Sequence, residues 1–327
     1  MRAMVMAAGL GTRLRPLTYD VPKPMVPVVN RPIMEHILEL LSKHGFDEAI
    51  ANLHWFPDLI RERFEDGSDA GVGLTYSYEE ELLGTAGGVR NVADFFGADS
   101  FLVLAADALT DIDLAALAAA HEGNDGIATL AVKRVPDVSE FGVVIAGGDG
   151  RIQGFQEKPD PAEALSNLAS CMIYMLDAAI FDYFPDRPVV DFALDVFPAL
   201  LEHDVPFHVH EIDAYWNDVG SLPEYLQGNL DALEGTVKVE GAGELLKESG
   251  GEEALERGDP GVSGHVLVGE GCEIDDGARL DGPLVIGEGC SIGAGARVKH
   301  SVVLPGAQVA PGALVAGSVY GRRPDLD

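Results

Sequence analysis

The sequence predicts an α/β domain with a mainly parallel sheet, followed by a short β-helix of hexapeptide repeats. Three observations carry this. Strand-like and helix-like segments alternate over the first two thirds of the chain, the pattern of a parallel sheet covered by helices. Phe101-Leu-Val-Leu-Ala-Ala106 is an unbroken apolar run, as expected of a strand buried on both faces. From Val268 onward, aliphatic residues recur every six positions.

Taken in order, Ala3 to Ala7 reads as the first strand. Ile33, Ile37, Leu40, Leu41 and His44 share one helical face, and Pro32 suits a first helical turn. A strand near Ala49 to Leu53, a helix around Leu59 to Phe64 and a strand at Leu74 to Tyr78 follow. Val89 to Phe96 reads as helix, then comes the buried strand ending at Ala106. Leu114 to His121 is an Ala-rich helix, with Asp111 and Asp113 as helix-start residues, and Ile127 to Val132 is a further strand. Ligands of such sheets sit beyond the carboxyl ends of the strands.

Near Leu233 the character changes, and residues 234–262 form an acidic, Gly-rich stretch expected as a linker. The expected domains are therefore 1–233, the linker 234–262 and a β-helix over 263–321. Val268, Ile274, Leu280, Ile286, Ile292 and Val298 keep a spacing of six; the phase slips by one, and Val303, Val309 and Val315 resume it. Each aliphatic is expected to point into a narrow core, with small residues at the corners. Cys272 and Cys290 then lie one coil apart and should stack as small core residues. His208 and His210 alternate on one strand face and read as structural, since two such ligands without a third do not make a zinc site.

Composition bounds the function. The chain has 327 residues, 47% apolar, with 22 Lys plus Arg against 54 Asp plus Glu, for a net charge of −32. Such acidity argues against nucleic-acid and anionic-membrane partners. The longest apolar run is far below the roughly 20 residues of a membrane span. Three cysteines cannot build a disulfide framework, which favours a reducing, cytoplasmic setting. Met1 to Ala8 is apolar like a signal peptide, but it runs straight into a Gly-rich loop and reads as a buried strand.

That loop carries the sharpest chemistry. In Ala7-Ala-Gly-Leu-Gly-Thr-Arg-Leu-Arg-Pro16, glycines after a strand let the backbone aim N–H groups at a ligand. Arg13, Arg15 and Lys23 add cations beside it in an otherwise acidic protein, as a triphosphate requires. Leu14 replaces the third glycine of a dinucleotide fingerprint, and no Gly-Lys-Ser/Thr completes a Walker loop. Asp107 follows the buried strand directly and faces the crevice, where a carboxylate suits Mg²⁺.

Gly9-Leu-Gly-Thr-Arg-Leu-Arg-Pro-Leu-Thr18 with Pro22-Lys-Pro-Met25 resembles the signature of sugar-1-phosphate nucleotidyltransferases, and most the mannose-1-phosphate guanylyltransferases among them. The likeness covers Met1 to about Leu233. It implies a Rossmann-like catalytic domain followed by a left-handed β-helix. It also implies that Ala8, Gly9, Gly11, Thr12, Arg13 and Lys23 hold the nucleotide. Asp107, and Asp218 in Trp216-Asn-Asp-Val-Gly220, would hold the metal, with Arg13, Lys23, Asp107 and Asp218 as the catalytic set. Glu157-Lys-Pro159 resembles the family's Glu-Lys-Pro, placing Lys158 on the sugar phosphate and Glu157 on a sugar hydroxyl, with Gly142 of Phe141-Gly-Val143 alongside. Gly84-Thr-Ala-Gly87 resembles the segment lining the base, so Gly84 and Thr85 join the nucleotide site.

Five residues before Gly84, Glu79 could accept from both N1–H and N2–H₂ of guanine, although an acidic run is more often a solvated face. One stretch departs from the family: Ser170-Cys-Met172 stands where an Asn-x-Gly is usual, leaving Ser170 to meet the sugar.

The expected function is transfer of a nucleotide from a triphosphate to a sugar 1-phosphate, giving GDP-mannose from GTP and mannose 1-phosphate. The alternative is a glucose-1-phosphate thymidylyl- or uridylyltransferase; from another class, a non-catalytic nucleotide-sugar-sensing regulatory subunit. An acyltransferase, the other common use of hexad β-helices, is disfavoured because His265 and His300 are the only histidines there. A homo-oligomer is expected, since a short solenoid leaves apolar ends.

Overall fold

The computed structural model describes residues 1–249 and 260–321. Its larger part is one nine-stranded mixed sheet between two layers of helices. Strands Phe101–Ala105, Arg2–Met6, Glu48–Leu53 and Gly73–Tyr78 lie side by side, all parallel. Leu168–Leu176 runs antiparallel beside Phe101–Ala105 and carries the other half of the sheet.

Side-chain alternation divides the core in two. Ala3 and Val5 enter one apolar cluster with Leu102 and Leu104, while Met4 enters the opposite one with Phe101 and Val103. Helices Ile33–Lys43 and Leu114–Glu122 cover the first face. Asp113 caps the latter by accepting from Ala116 N–H at 2.9 Å, as expected of a helix-start residue. Asp111 instead accepts the backbone N–H groups of Tyr215 and Lys238. The helix expected over Val89 to Phe96 is two helices, Gly84–Arg90 and Ala93–Phe96. It starts earlier than its apolar pattern because small Gly84, Ala86 and Gly87 pack against the backbone at Val190.

The carboxy-terminal part is a β-helix of three short parallel sheets. Val262, Leu280, Val298 and Val315 stack in register on one of them. The phase slip becomes one shortened coil: Val298 pairs with Val315, and Ile292 with Val309, 17 residues on, where earlier rungs are 18 apart. His300 turns that corner at φ 47°. Cys272 and Cys290 lie in the solenoid core cluster, beside the paired rungs Glu273 and Ser291. His208 is held by Asp125, 2.9 Å away.

The stretch expected as a linker contributes structure. Glu244–Leu246 adds an antiparallel strand to Val266–Val268, and Gly261–Ser263 begins the first coil; residues 250–259 lie outside the described residues. One outer face of the solenoid packs on the amino-terminal α/β domain. Leu267, Val285 and Val302 are buried against Val29, Tyr225 and Ala232 in one cluster. Each such side chain contributes roughly 1.5–3 kcal/mol. Asn30 Nδ2 also donates to Ile286 O at 3.0 Å. Among the described residues, no helix is long and apolar enough to cross a membrane.

Candidate active site

The parallel strands end together, and the glycine turn, Glu79 and Asp107 leave from their carboxyl ends. After Met6 the chain turns through Gly11, whose φ of 62° and close approach to Thr18 and Lys23 admit no Cβ without strain. The Thr18 hydroxyl pins the turn by donating to Gly11 O at 2.7 Å. Met6, Ala7, Gly9, Gly11, Thr12, Arg13, Lys23, Asp107 and Gly220 line a cavity of about 210 Å³. A larger one, about 640 Å³, lies between this domain and the β-helix, away from these residues.

Asp107 and Asp218, more than a hundred positions apart, are brought to one place by a two-stranded ladder. Trp216 pairs with Thr110 and Asn217 with Leu109, so Asp218 arrives beside the segment that starts at Asp107. Lys23 ties them: its Nζ lies 2.6 Å from Asp107 Oδ2 and donates to Asp218 O at 2.8 Å. Arg13 lies 3.2 Å from Asp218 Oδ2 and 3.5 Å from Glu140. Lys23 is 8% exposed, so it is committed to the site interior.

Each carboxylate spends one oxygen on a cation and stays partly exposed, with side chains 30% and 19% accessible. Hard oxygen donors in that state fit a divalent cation. Among the described residues no three His, Cys, Asp or Glu groups converge on a metal position, so phosphate oxygens and water would complete its shell.

The residues expected to meet the sugar lie on a hairpin. Glu157 ends the strand Ile152–Glu157 opposite Gly142, and a Cβ at Gly142 would stand 3.2 Å from Glu157 Oε2. Burial pushes the Glu157 carboxyl above its usual range; Lys158 opposes this and Asp191 adds to it. Lys158 is exposed at the rim, its N–H donating to Phe141 O. The Phe141 ring packs at 5.2 Å from Trp216, which, with the Arg13–Glu140 pair, joins this hairpin to the Asp218 segment.

Several predicted residues are otherwise engaged. Glu79 is not on a solvated face: Glu80 and Glu81 are exposed, but Glu79 is 3% exposed. Its Oε1 accepts from Asn52 Nδ2 at 2.8 Å and its Oε2 from Leu83 N–H at 3.0 Å, so each oxygen is engaged within the protein. The Thr85 hydroxyl donates to Asp191 Oδ2 at 2.8 Å and accepts from Phe192 N–H. Gly84, at φ 78°, presses on Val190 O. Ser170 hydrogen-bonds the buried Tyr174 hydroxyl at 3.0 Å, and Met172 sits at φ 57° where the strand register shifts. Met172 thus occupies the positive-φ position of a strand bulge, and the Ser170 hydroxyl is engaged by Tyr174. Asn52, Glu140 and Asp191 carried no sequence signal: none belongs to one of the motifs read above.

A nucleotidyl transferase family model matches residues 2–235, and a model for the GMPPB C-terminal domain matches 262–327. The chain is 38% identical to a UTP–glucose-1-phosphate uridylyltransferase of Synechocystis over 98% of this chain and 88% of that one. It is 34% identical to a mannose-1-phosphate guanylyltransferase of Mycobacterium tuberculosis over 86% and 78%. A solved UDP-glucose pyrophosphorylase of Acinetobacter baumanii shares the fold at TM-score 0.62 and 24% identity, over 72% of this chain and 94% of that one. With the signature loop, the paired aspartates and the β-helix in these positions, the chain belongs to the sugar-1-phosphate nucleotidyltransferase family.

Proposed function

We propose that the protein joins GTP to mannose 1-phosphate, forming GDP-mannose and pyrophosphate. The observation that carries the reaction type is Lys23, held between the Asp107 carboxylate and the Asp218 carbonyl beside the glycine turn. The choice of GTP and mannose rests on the GMPPB C-terminal match and on relatives named as guanylyltransferases. The Synechocystis relative supports a second reading, UTP with glucose 1-phosphate. A regulatory subunit is disfavoured, because Arg13, Lys23, Asp107 and Asp218 are in contact with one another at one crevice.

A phosphate monoester has its second pKa near 6, so the sugar phosphate is already an adequate nucleophile near neutrality. No general base is needed, and the work is positioning and charge neutralisation. One sugar-phosphate oxygen attacks the α-phosphorus, and the bond to the β-phosphate oxygen breaks. Arg13 and Lys23 exchange their carboxylate partners for phosphate oxygens, Arg13 on the leaving pyrophosphate and Lys23 on the transferring group. Lys158 anchors the incoming phosphate and Glu157 accepts from a sugar hydroxyl. Asp107 and Asp218 would hold Mg²⁺, which supplies charge neutralisation and fixed geometry when bound.

Pyrophosphate release measured with GTP, dTTP, UTP and ATP against mannose and glucose 1-phosphates tests this. The highest kcat/KM is expected for GTP with mannose 1-phosphate. A UTP–glucose optimum would replace the pair, and no release with any pair would remove the reaction.

A further inference from the structure

We propose that Asn52 and Glu79 are positioning residues, a buried relay that fixes the phosphate loop and the base-lining segment to each other. The inference rests on the nucleotidyltransferase reading of the site.

Three adjacent parallel strands end at Met6, Leu53 and Tyr78. Asn52, 5% exposed, stands on the middle strand between the other two. Its Oδ1 accepts Ala7 N–H at 2.8 Å, at the root of the glycine turn. Its Nδ2 donates to Glu79 Oε1 at 2.8 Å. Glu79 Oε2 then accepts Leu83 N–H at 3.0 Å, immediately before Gly84 and Thr85. His54 Nδ1 donates to Glu79 O at 2.8 Å and holds the backbone of the same residue.

Every bond in this chain has a fixed direction. A carboxylate only accepts, so Glu79 forces the Asn52 amide to present Nδ2 to it and Oδ1 to Ala7. The amide orientation, and with it the aim of the Ala7 N–H, is set by the residue that also holds Leu83. Gly88 is the steric counterpart. A Cβ there would stand 2.6 Å from Glu79 Oε1 and 2.8 Å from Asn52 Nδ2, so the relay closes only over a residue without a side chain. The two ends of a nucleotide thus meet segments registered by one buried pair.

The relay can be broken and rebuilt. In Glu79→Gln, Asn52 Nδ2 and Leu83 N–H both point at a group with a single acceptor oxygen, and one donor is orphaned. Adding Asn52→Asp reverses the middle bond: the introduced amide donates to the introduced carboxylate and its oxygen accepts Leu83 N–H. Ala7 N–H keeps an acceptor. The experiment measures KM for each substrate, kcat, base preference and thermal unfolding in wild type, Glu79→Gln, Asn52→Asp/Glu79→Gln and Gly88→Ala.

With wild type active, Glu79→Gln and Gly88→Ala should lower kcat/KM for the triphosphate roughly 10- to 100-fold, mostly through KM. KM for the sugar phosphate and the ranking of bases should not move, and the double variant should recover most of the loss. A double variant that is folded but no better than Glu79→Gln overturns the relay. A base preference shifted alike in the single and double variants also overturns it, and makes Glu79 a base reader. Inactive wild type would instead count against the nucleotidyltransferase reading itself.

Discussion

Lys23 Nζ lies 2.6 Å from Asp107 Oδ2, and the same ammonium donates to Asp218 O. One buried cation therefore registers the glycine turn, the end of the central strand and the end of a short strand nearly two hundred residues downstream. Lys23→Ala removes both the registration and the charge that faces the phosphates. It should lower kcat roughly 10²- to 10³-fold, the scale of removing one preorganised charge-stabilising donor. Turnover near wild type in a steady-state pyrophosphate assay would contradict this.

Gly220 has no room for a side chain: a Cβ would stand 2.7 Å from both Arg13 Nη1 and Asp218 Oδ2. Gly220→Ala should displace the Arg13 guanidinium, the more flexible neighbour, while leaving the melting temperature little changed. A fall in kcat of about 10-fold is expected. Unchanged kinetics with an intact fold would show that the observed Arg13–Asp218 contact is not needed for turnover.

Asp107 and Asp218 each keep one oxygen off their cation. Chelation of divalent ions should therefore abolish turnover, and Mg²⁺ should restore it. Asp218→Asn should raise the Mg²⁺ concentration needed for half-maximal rate and lower the maximal rate. Full activity in chelator would oppose a metal-dependent reaction.

His36 is buried, donates from Nε2 to Val28 O at 3.1 Å, and leaves Nδ1 without a partner. Burial holds its pKa below the ordinary 6.5, and the same holds for His44 and His210. Below pH 6.5 the unfolded chain binds protons that the folded protein refuses, so stability falls as pH drops through that value. His36→Gln keeps a donor for Val28 and removes a titrating group. Its melting temperature should fall less than that of wild type between about pH 8 and pH 5.5. Equal slopes would assign the acid sensitivity elsewhere.

Leu280 is fully buried between Val262 and Val298 in the stacked row of the solenoid. Leu280→Ala should cost roughly 2–5 kcal/mol, read by chemical denaturation. Because the residue faces away from the crevice, kcat of the folded fraction should be unaffected.

Much of this was legible because it is periodic or local. The hexad gave the solenoid core down to the shortened coil, and the apolar run ending at Ala106 marked the strand after which Asp107 lines the cavity. The glycine turn stood out by its paired glycines and neighbouring cations. What the sequence hid are pairings across long separations. Nothing near Asn52 signals that its amide serves Ala7 and Glu79, and the Glu79-Glu-Glu81 run hides the inward turn of its first member. The acidic stretch near Glu244 looked like a linker because a strand paired on one edge needs little apolar content. The bulge at Met172 was foreshadowed only by the departure from Asn-x-Gly, since the positive φ there lies where the pairing of Leu168–Leu176 with its neighbours shifts register.

The most direct measurement is a crystal structure with a non-hydrolysable triphosphate and Mn²⁺, reading the metal from its anomalous signal. The account predicts one ion bonded to carboxylate oxygens of both Asp107 and Asp218 and to phosphate oxygens, with Lys23 on the same phosphates. A nucleotide-bound ion held by neither carboxylate, or by one with the other turned away, would contradict it.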